Sequence, residues 1–324
     1  MVLALVEHDD GEPTELSLEL LTLARSVAED AGESVEAAAF GDGGDAVADA
    51  LGPYGVETVH HVTHDGLDTY APRAWGESLA QLAEASGVTA VLAPGSDRGQ
   101  EVLAHAGATL DLPMAANCVE VAVGDTYEIT RHRWGGSLVE HAELEADIAL
   151  LTAAAHEVPI EEADASTDPG VESFTPDLDD DQLGVSVERV EESDVEGVPL
   201  GEARVVVGGG RGVGGADGYE PLEELADLLG GTVGASRAAV NEGWRPHDDQ
   251  IGLTGAKISP DVYIACGISG AVQHMVGCKG AENILAVNTD PEAAIIQKAD
   301  WAVTGDLHEV LPAVSDELER RGHS

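Results

Sequence analysis

Three short polar loops in the second half of the chain carry residue types that can hold an anionic cofactor. They contain Ser236 with Arg237, Thr254 with Gly255, and residues 269–274, and apolar runs short enough to be strands separate them. Small residues crowd the turns, where backbone N–H groups can approach an anion closely. This layout predicts a bound cofactor rather than a bare hydrophobic core.

A glycine motif lies upstream of these loops, directly after a predicted strand. Gly210, Gly212 and Gly215 satisfy the pattern G-x-G-x-x-G, which is typical of nicotinamide dinucleotide sites. In that fold an acidic residue about 20 positions on, at the end of the next strand, binds the ribose. Here the next predicted strand, residues 232–234, runs into Arg237 instead. The missing acid and the arginine exclude the simple nicotinamide interpretation and favour contact with an anion or a flavin.

The charge of the chain limits its partners. Its 324 residues include 62 acidic and 15 basic ones, for a net charge of −47. Such a chain repels nucleic acid and anionic membranes, which argues against both as partners. A hydrophobic fraction of 43% opposes disorder. Because the Debye length is only about 3 Å at 1 M ionic strength, we interpret the acid excess as adaptation to a high-salt cytosol.

The chain lacks the sequence signals of membrane insertion and export. No stretch reaches the roughly 18 consecutive apolar residues that a membrane helix needs. The strand-like start MVLALVE lacks a charged n-region followed by a cleavage site, so we do not expect export. We therefore expect a cytoplasmic protein without direct membrane insertion. We also expect no metal site, because the three cysteines have no metal-ligand spacing: Cys118, Cys266 and Cys278.

Strand-like and helix-like segments alternate in the first half of the chain. The predicted strands are residues 2–6, 34–40, 56–62 and 88–93, and the predicted helices are residues 15–31, 46–51, 72–86 and 98–107. This alternation predicts an α/β fold with a parallel sheet covered by helices. Shorter runs between residues 119 and 152 predict added strands, some of them antiparallel.

An acidic segment divides the chain. Residues 156–202 hold 16 Asp or Glu and one basic residue, Arg189. We interpret this segment as a solvated connector in which residues 184–190 could still form an edge strand. The expected organisation is an N-terminal α/β domain over residues 1–155, the connector over residues 156–202, and a second domain over residues 203–324.

Five ordered blocks in the second half resemble the α subunit of electron transfer flavoprotein. Their order and spacing match that family, whereas the first half matches more loosely, mainly in architecture and in residues 131–136 (RHRWGG). The five blocks are GGGRG at 208–212, VGASRAAV at 233–240, QIGLTG at 250–255, YIACGISGAVQH at 263–274 and NTDPEAAI at 288–295.

The resemblance implies a C-terminal, doubly wound α/β domain that binds FAD in an extended groove. Arg211 matches the first FAD-contacting loop, and Ser236 with Arg237 matches residues near the flavin ring and the pyrophosphate. Thr254 matches the hydroxyl at flavin N5, and His274 matches a residue near flavin O2. The implied FAD-contacting set is Arg211, Ser236, Arg237, Gln250, Leu253, Thr254, Gly255, Gly267, Ser269, Gly270, Ala271, Gln273, His274, Asn288, Asp306 and Leu307, the last three at the AMP end.

The distribution of cations agrees with a polyanion bound in this region. All three lysines and six of the arginines lie within residues 203–324. Reduction puts negative charge on the N1–C2=O2 edge of a flavin, and a positioned cation or donor there stabilises that charge. Arg237 always carries charge, whereas His274 offers a donor or a full charge depending on its pKa.

Two places depart from the family pattern. Leu253 and Ala256 stand where many members have Gln and Lys, and Lys257 follows one position later. Thr289 stands where some relatives have lysine. The first departure can change the flavin potential and the second the contacts to AMP. Neither threatens FAD binding itself.

The resemblance implies an electron carrier that works as a heterodimer with a β subunit. It would accept electrons at FAD from dehydrogenases such as the acyl-CoA dehydrogenases of fatty acid β-oxidation and pass them to a membrane quinone oxidoreductase. The N-terminal domain would supply much of the β-subunit interface. No nucleophile–base pair marks a substrate-converting enzyme. Two alternatives stay open: a subunit of an electron-bifurcating, NADH-dependent complex, and a non-redox nucleotide-binding scaffold.

Overall fold

The computed structural model describes residues 1–67, 69–133, 138–185, 187, 200, 201 and 203–321. The chain divides into two compact units, Met1–Glu191 and Glu192–Ser324. None of the helices in these described ranges combines the length and the apolar character that a membrane crossing needs.

The first unit is built on one large sheet and a short hairpin. Its described strands are β1 (Val2–Val6), β2 (His8–Asp9), β3 (Glu12–Pro13), β4 (Val35–Phe40), β5 (Val56–Val62), β6 (Ala90–Ala93), β7 (Met114–Val123), β8 (Tyr127–Arg133), β9 (Leu138–Leu144), β10 (Ala149–Ala153) and β11 (Gly170–Phe174). The sheet order is β11-β5-β4-β1-β6-β10-β7-β8-β9, and β2 pairs with β3. The strands from β11 to β7 pair in parallel, whereas β7, β8 and β9 form antiparallel pairs.

Helices cover this sheet, and local sequence sets their ends. The helices are α1 (Glu15–Ala31), α2 (Ala48–Leu51), α3 (Pro72–Ser86) and α4 (Asp97–Leu110). The hydroxyls of Thr14 and Ser96 accept hydrogen bonds from the first turns of α1 and α4. Gly32 ends α1 in the left-handed conformation, at φ 68°. All residues of β1 are at most 2% exposed, as expected for a parallel strand covered on both faces.

The predicted fold class is confirmed, but the acidic segment differs from the expectation. The first unit runs to Glu191 rather than ending at residue 155, and β11 lies inside the expected connector. β11 pairs in parallel with β5 at the edge of the sheet, although four of its five residues are exposed. The edge strand expected over residues 184–190 falls mostly outside the described residues, as do residues 134–136 of the RHRWGG block.

A group of three potential metal ligands, Glu15, Glu19 and His156, joins α1 to the segment after β10. Both oxygens of the buried Glu19 already have contacts within the protein. Its Oε2 accepts a hydrogen bond from the His156 backbone N–H at 2.8 Å, and its Oε1 lies 3.3 Å from His156 Nδ1. Glu19 therefore holds His156 in its left-handed backbone conformation, at φ 58°.

The second unit contains a six-stranded sheet in its described residues, and every pairing is parallel. The strands are β12 (Val205–Gly209), β13 (Thr232–Ser236), β14 (Gln250–Ile251), β15 (Val262–Cys266), β16 (Ile284–Asn288) and β17 (Trp301–Thr304). Their order is β14-β13-β12-β15-β16-β17. The helices are α5 (Glu220–Leu229), α6 (Arg237–Asn241), α7 (Val272–Gly277), α8 (Ala294–Lys298) and α9 (Leu307–Arg320).

The strand order reverses direction between β12 and β15. The chain moves outward from β12 to β13 and β14, and then returns to place β15 on the other side of β12. In doubly wound sheets, ligands bind outside the carboxyl ends of the strands at this switch point. The loops that follow β12 and β15 are therefore the expected ligand-binding loops of this unit.

Candidate functional site

A cavity of about 650 Å³ lies at the carboxyl ends of the strands in the second unit. The loops after β12 and β15 contribute to its wall, so it occupies the switch point of the sheet. Twelve of the sixteen residues expected to contact FAD line this cavity: Arg211, Ser236, Arg237, Gln250, Leu253, Thr254, Gly267, Ser269, Ala271, Gln273, His274 and Asn288.

Close backbone contact between the two loops explains the first glycines of the motif. The Gly210 N–H donates to the Cys266 carbonyl at 2.9 Å, and the Gly212 N–H donates to the Gly267 carbonyl at 3.0 Å. A Cβ atom at Gly210 would lie 2.3 Å from the Gly267 oxygen. These glycines let the loops pack directly against each other. Gly215 has extended backbone, with φ 170° and no atom within 4 Å of an added Cβ.

Two arginines, Arg211 and Arg237, line the cavity. Arg211 begins the turn after β12, and Arg237 begins α6 after β13; both are exposed. Among the described residues neither side chain forms a hydrogen bond or an ion pair, whereas Arg204 pairs with Asp261 and Arg245 with Glu223. In a chain of net charge −47, two unpaired cations beside one cavity indicate an anionic ligand, because charge-assisted hydrogen bonds to phosphate are strong.

Two hydroxyl groups in the cavity wall keep a proton to donate. Ser236 Oγ accepts the Ala239 N–H at 3.4 Å, at the start of α6. Thr254 Oγ1 lies 3.2 Å from the Nε2 of the buried Gln250, which can only donate. Each oxygen is therefore used as an acceptor by the protein. Each hydroxyl proton remains available to an acceptor in the cavity.

His274 is a neutral side chain in the cavity wall rather than a charged one. Its side chain lies on α7, and the residue is only 7% exposed. Burial lowers the pKa of His274 to about 4, an effect that the nearby Ile251 backbone partly offsets. The ring is therefore neutral at pH 7. Its Nδ1 is buried, and no described group forms a hydrogen bond of ordinary geometry with it.

The four remaining expected residues lie outside the cavity wall. An added Cβ at Gly255 would lie 2.1 Å from the Gln250 oxygen, and one at Gly270 would lie 2.3 Å from the Ile295 nitrogen, so both glycines allow close packing of the loops. Asp306 accepts the His308 N–H at 3.0 Å at the start of α9, and Leu307 belongs to the hydrophobic core. Their contacts with FAD stay predictions.

The AMP end of the expected site is represented in the wall by Asn288. Its Nδ2 donates to the Ile268 carbonyl at 2.8 Å, and its Oδ1 accepts the Asp290 N–H at 3.0 Å. These bonds fix the loop after β16 against the loop after β15. Asn288 thus shapes the cavity wall through both the N–H donor and the oxygen acceptor of its amide group.

Eight lining residues were not among the expected contacts: Gly212, Ala238, Asn241, Ile251, Gly252, Ile268, Asp290 and Ala293. Asn241 lies four positions after Arg237 on α6, and this spacing places both on one helix face. Asp290 follows Asn288 in a turn and belongs to the NTDPEAAI block, so the sequence did contain a signal for it. The small and apolar members carry no comparable signal in the sequence.

The residues of the cavity fit a flavin dinucleotide. Arg211 and Arg237 offer the charge that a pyrophosphate needs, and the neutral ring of His274 lies in the same wall. Ser236 and Thr254 add two hydroxyl donors to the same wall. The donor set therefore matches a ligand that combines phosphates with an acceptor-rich ring.

Comparison with known proteins gives the same family for both units. A family model described as "Electron transfer flavoprotein domain" matches residues 2–179, and one described as "Electron transfer flavoprotein FAD-binding domain" matches residues 199–279. The electron transfer flavoprotein subunit alpha of Bacillus subtilis is 32% identical to this chain, over 98% of this chain and 97% of its own length.

Two further relatives agree. The electron transfer flavoprotein subunit alpha of Mycobacterium leprae is 36% identical, over 98% of both chains. Protein FixB of Clostridium saccharobutylicum is 34% identical, over 94% of this chain and 92% of its own length. The FAD-binding domain match spans β12 to α7, which contribute most of the cavity wall, so FAD is the cofactor of this domain. The chain belongs to the electron transfer flavoprotein alpha-subunit family.

Proposed function

We propose that this chain is the FAD-holding subunit of a heterodimeric electron carrier in the cytoplasm. A β subunit completes the heterodimer. Electrons arrive from acyl-CoA dehydrogenases or other dehydrogenases and leave to a membrane quinone oxidoreductase. The carrier converts no substrate of its own, and it meets the membrane through its acceptor rather than by insertion.

The pair of unpartnered arginines at the cavity is the observation that carries this proposal. Arg211 and Arg237 lie on neighbouring loops of the same wall, in a chain where acidic residues outnumber basic ones 62 to 15. Two exposed cations beside one cavity make its electrostatic potential positive, which favours an anion there. The phosphates of FAD supply that anion, and Arg237 is also expected to stabilise negative charge on the reduced ring.

The remaining wall residues orient the cofactor and tune it. FAD supplies the capacity to take up and release electrons singly or in pairs. Ser236 and Thr254 donate hydroxyl protons, while His274 offers its N–H without adding charge. Leu253 and Ile268 add apolar surface to the wall, and Leu253 is 53% exposed. An apolar side chain at position 253 makes this part of the wall less polar than an amide would.

Pairing with a β subunit has two supports. The Bacillus subtilis and Mycobacterium leprae relatives are named as alpha subunits. In addition, the first unit presents apolar side chains on its edge strand β9, where Leu138 is 56% and Val139 57% exposed. Apolar surface of this kind is typical of protein–protein contact sites.

The test is cofactor extraction and a visible spectrum of the protein co-expressed with its β subunit and purified in high salt. We expect a flavin spectrum, with one FAD per heterodimer and AMP as the second nucleotide. Two FAD per heterodimer would support the electron-bifurcating alternative instead. A purified heterodimer without flavin absorbance that cannot be reconstituted with FAD would contradict the proposal and favour the non-redox scaffold.

A further inference from the structure

Gln250 is a buried amide in the wall of the FAD cavity. It lies on β14, pairs in register with Ala235 of β13 and is 3% exposed. A buried amide is unfavourable unless its polar atoms have partners. Its Nε2 donates to Thr254 Oγ1 at 3.2 Å, and Thr254 is an exposed residue of the same wall. Gln250 therefore contacts a hydroxyl group that a ligand in the cavity can reach.

The backbone of Gln250 holds the loop that carries this hydroxyl. The Gln250 carbonyl accepts the Ala256 N–H at 2.6 Å, and the Gly252 N–H donates to the Ala256 carbonyl at 3.2 Å. A Cβ added at Gly255 would lie 2.1 Å from the Gln250 carbonyl oxygen, so the loop closes this tightly only because it carries glycine there. Loop closure thus depends on backbone atoms, and a change confined to the Gln250 side chain leaves these bonds in place.

The side chain of Gln250 sets the direction of the Thr254 hydroxyl. An amide N–H only donates, so Oγ1 accepts this bond through a lone pair and its own proton points elsewhere. Within the described part of the chain, the Thr254 hydroxyl makes no second hydrogen bond. Donation to Oγ1 also polarises the O–H bond and makes it a stronger donor. The proton is therefore available to an acceptor in the cavity.

We propose that Gln250 is a positioning residue that turns the proton of the Thr254 hydroxyl into the cavity, where an acceptor atom of the cofactor receives it. Gln250 thus acts on the cofactor through Thr254. This inference rests on the proposed function for the identity of the ligand, because the acceptor belongs to FAD. The hydrogen bond between the two side chains is a property of this chain alone.

The experiment measures FAD dissociation constants of heterodimers in which Gln250→Met is combined with three different side chains at position 254. Methionine has nearly the length of glutamine and no N–H donor. Thr254→Val keeps the branched shape of threonine and removes the hydroxyl, whereas Thr254→Ser keeps the hydroxyl and removes the methyl group. The third background is the natural threonine. The comparison gives the effect of the change at position 250 with and without a hydroxyl at position 254.

Gln297→Met is the matched control for loss of an amide side chain. Gln297 lies on α8 of the same unit and is exposed, and its Nε2 donates to the Glu292 carbonyl at 3.4 Å. It lies outside the cavity wall. The FAD dissociation constant of Gln297→Met should therefore equal that of the wild type.

We expect Gln250→Met to raise the FAD dissociation constant about 3- to 10-fold when residue 254 is threonine or serine, since one neutral hydrogen bond contributes a factor of this size. In the Thr254→Val background the same change should leave the dissociation constant unaltered, because no hydroxyl is left to orient. The return of the effect with serine separates orientation of the hydroxyl from packing of the loop, because packing does not depend on a hydroxyl at this position.

Three results would overturn the proposal. The first is an equal loss of affinity in all three backgrounds, which would mean that Gln250 acts by packing or by its own contact with FAD. The second is a loss that occurs with threonine and valine but not with serine, and the third is an unchanged dissociation constant with threonine.

A second variant keeps the test decisive if Gln250→Met does not fold. Gln250→Glu at pH 8 has nearly the same shape, and its carboxylate accepts the Thr254 proton instead of donating to Oγ1. The loss of FAD affinity should then be larger with threonine or serine at position 254 than with valine, where only the added charge acts. Equal losses would overturn the proposal.

Failure of the proposed function is distinguishable from these results. A wild-type heterodimer that binds no FAD would end both proposals. A wild type that binds FAD, without coupling between positions 250 and 254, would overturn this inference alone.

Discussion

The two units present the same topological feature with different residues. In the first unit the strand order reverses between β1 and β6, and in the second between β12 and β15. The first switch point holds a buried carboxyl group of the protein itself: Glu7, directly after β1, is 9% exposed and accepts the Ser96 hydroxyl at 2.6 Å. The second holds Gly210 after its first strand and two arginines that have no hydrogen-bond or ion-pair partner in the part of the chain that the structure describes.

This difference shows that topology alone does not make a nucleotide site. A reversal of strand order is where a binding crevice is expected at the carboxyl edge of such a sheet, and both sheets contain one. In the first unit the Glu7 carboxyl group lies at the N-terminus of α4, where burial raises its pKa although the Ser96 hydroxyl, Arg98 and the Gly99 backbone oppose this effect. In the second unit the strand ends carry no acidic side chain at 210 or 267, so backbone and arginines face the cavity.

The largest expected effect comes from the arginines that distinguish the second switch point. Arg211→Ala and Arg237→Ala should each raise the FAD dissociation constant about 10- to 100-fold, since hydrogen bonds to charged groups contribute about 1.5–3 kcal/mol. The double variant should lose more than either single one. FAD titration of the heterodimer, followed by flavin fluorescence, measures these changes.

Arg204→Ala is the matched control for charge. Arg204 belongs to the same unit and loses the same charge, but its side chain is 84% exposed and pairs with Asp261. Its affinity for FAD should stay close to wild type, because exposed ion pairs contribute little. If Arg237→Ala bound FAD as tightly as Arg204→Ala, Arg237 would contribute nothing to FAD affinity. The proposed electrostatic difference between the two switch points would then be wrong.

A second expected effect concerns the glycines at the same loop. Gly210→Ala places a Cβ 2.3 Å from the Gly267 oxygen, so the loops after β12 and β15 must separate. We expect the free energy of unfolding to fall by about 1–3 kcal/mol, as for other overpacked sites, together with weaker FAD binding. Denaturant unfolding of the heterodimer measures the loss.

Gly215→Ala is the control from the same motif. Gly215 has φ 170°, and no atom lies within 4 Å of an added Cβ. Its substitution should change the unfolding free energy by less than about 0.5 kcal/mol. Equal losses for the two alanines would show that the motif acts as a whole, rather than through the contact between two loops.

A smaller effect is expected at the first switch point. Burial raises the pKa of Glu7 above 4.5, although Ser96 and Arg98 oppose this effect. Because the folded-state value lies above the unfolded one, the contribution of Glu7 to stability is complete below pH 4.5 and is lost as the pH rises through the folded-state pKa. The stability of the wild type relative to Glu7→Gln should therefore fall with rising pH.

Paired denaturation curves of wild type and Glu7→Gln between pH 5 and pH 8, at one salt concentration, test this sign. The Gln side chain keeps an acceptor for Ser96 and cannot ionise, so other titrating groups cancel in the difference. If the stability of the wild type relative to Glu7→Gln instead rose with pH, the fold would stabilise the ionised form of Glu7. The surroundings of Glu7 would then favour an anion despite its burial.

The smallest change is expected in the titration of His274. Burial lowers its pKa from 6.5 to about 4, so the folded state favours the neutral ring. The resulting stability is present above pH 6.5 and is lost as the pH falls toward 4. Histidine NMR signals followed from pH 8 to pH 5 should show His274 essentially unprotonated throughout. Half-protonation near pH 6.5 would contradict a buried, neutral donor.

Sequence alone predicted the elements and the cationic residues of the cavity because both have local signals. The helices α1 and α3 run over Glu15–Ala31 and Pro72–Ser86, the same ranges that residue spacing and composition predicted. β11 carries no such signal, since four of its five residues are exposed and its pairing with β5 joins residues more than 100 positions apart. Its location depends on the assembled sheet rather than on its own composition.

Local sequence patterns also could not predict the difference between the two switch points. Glu7 looks like an ordinary residue at the end of a strand, and only the fold brings it to Ser96, 89 positions later. Likewise, the contact between Tyr263 and His274 depends on how α7 packs on β15. The sequence blocks identified the family and its cofactor, whereas the tertiary contacts explain why one crevice holds a carboxylate and the other faces arginines.

Structure determination of the heterodimer with FAD tests the central claim most directly. The contrast between the two switch points predicts electron density for the flavin nucleotide in the cavity of the second unit, with Arg211 and Arg237 in contact with it and His274 donating to it. The crevice at Glu7 should contain no nucleotide. Density for FAD at the Glu7 crevice, or FAD bound away from both arginines, would contradict the claim.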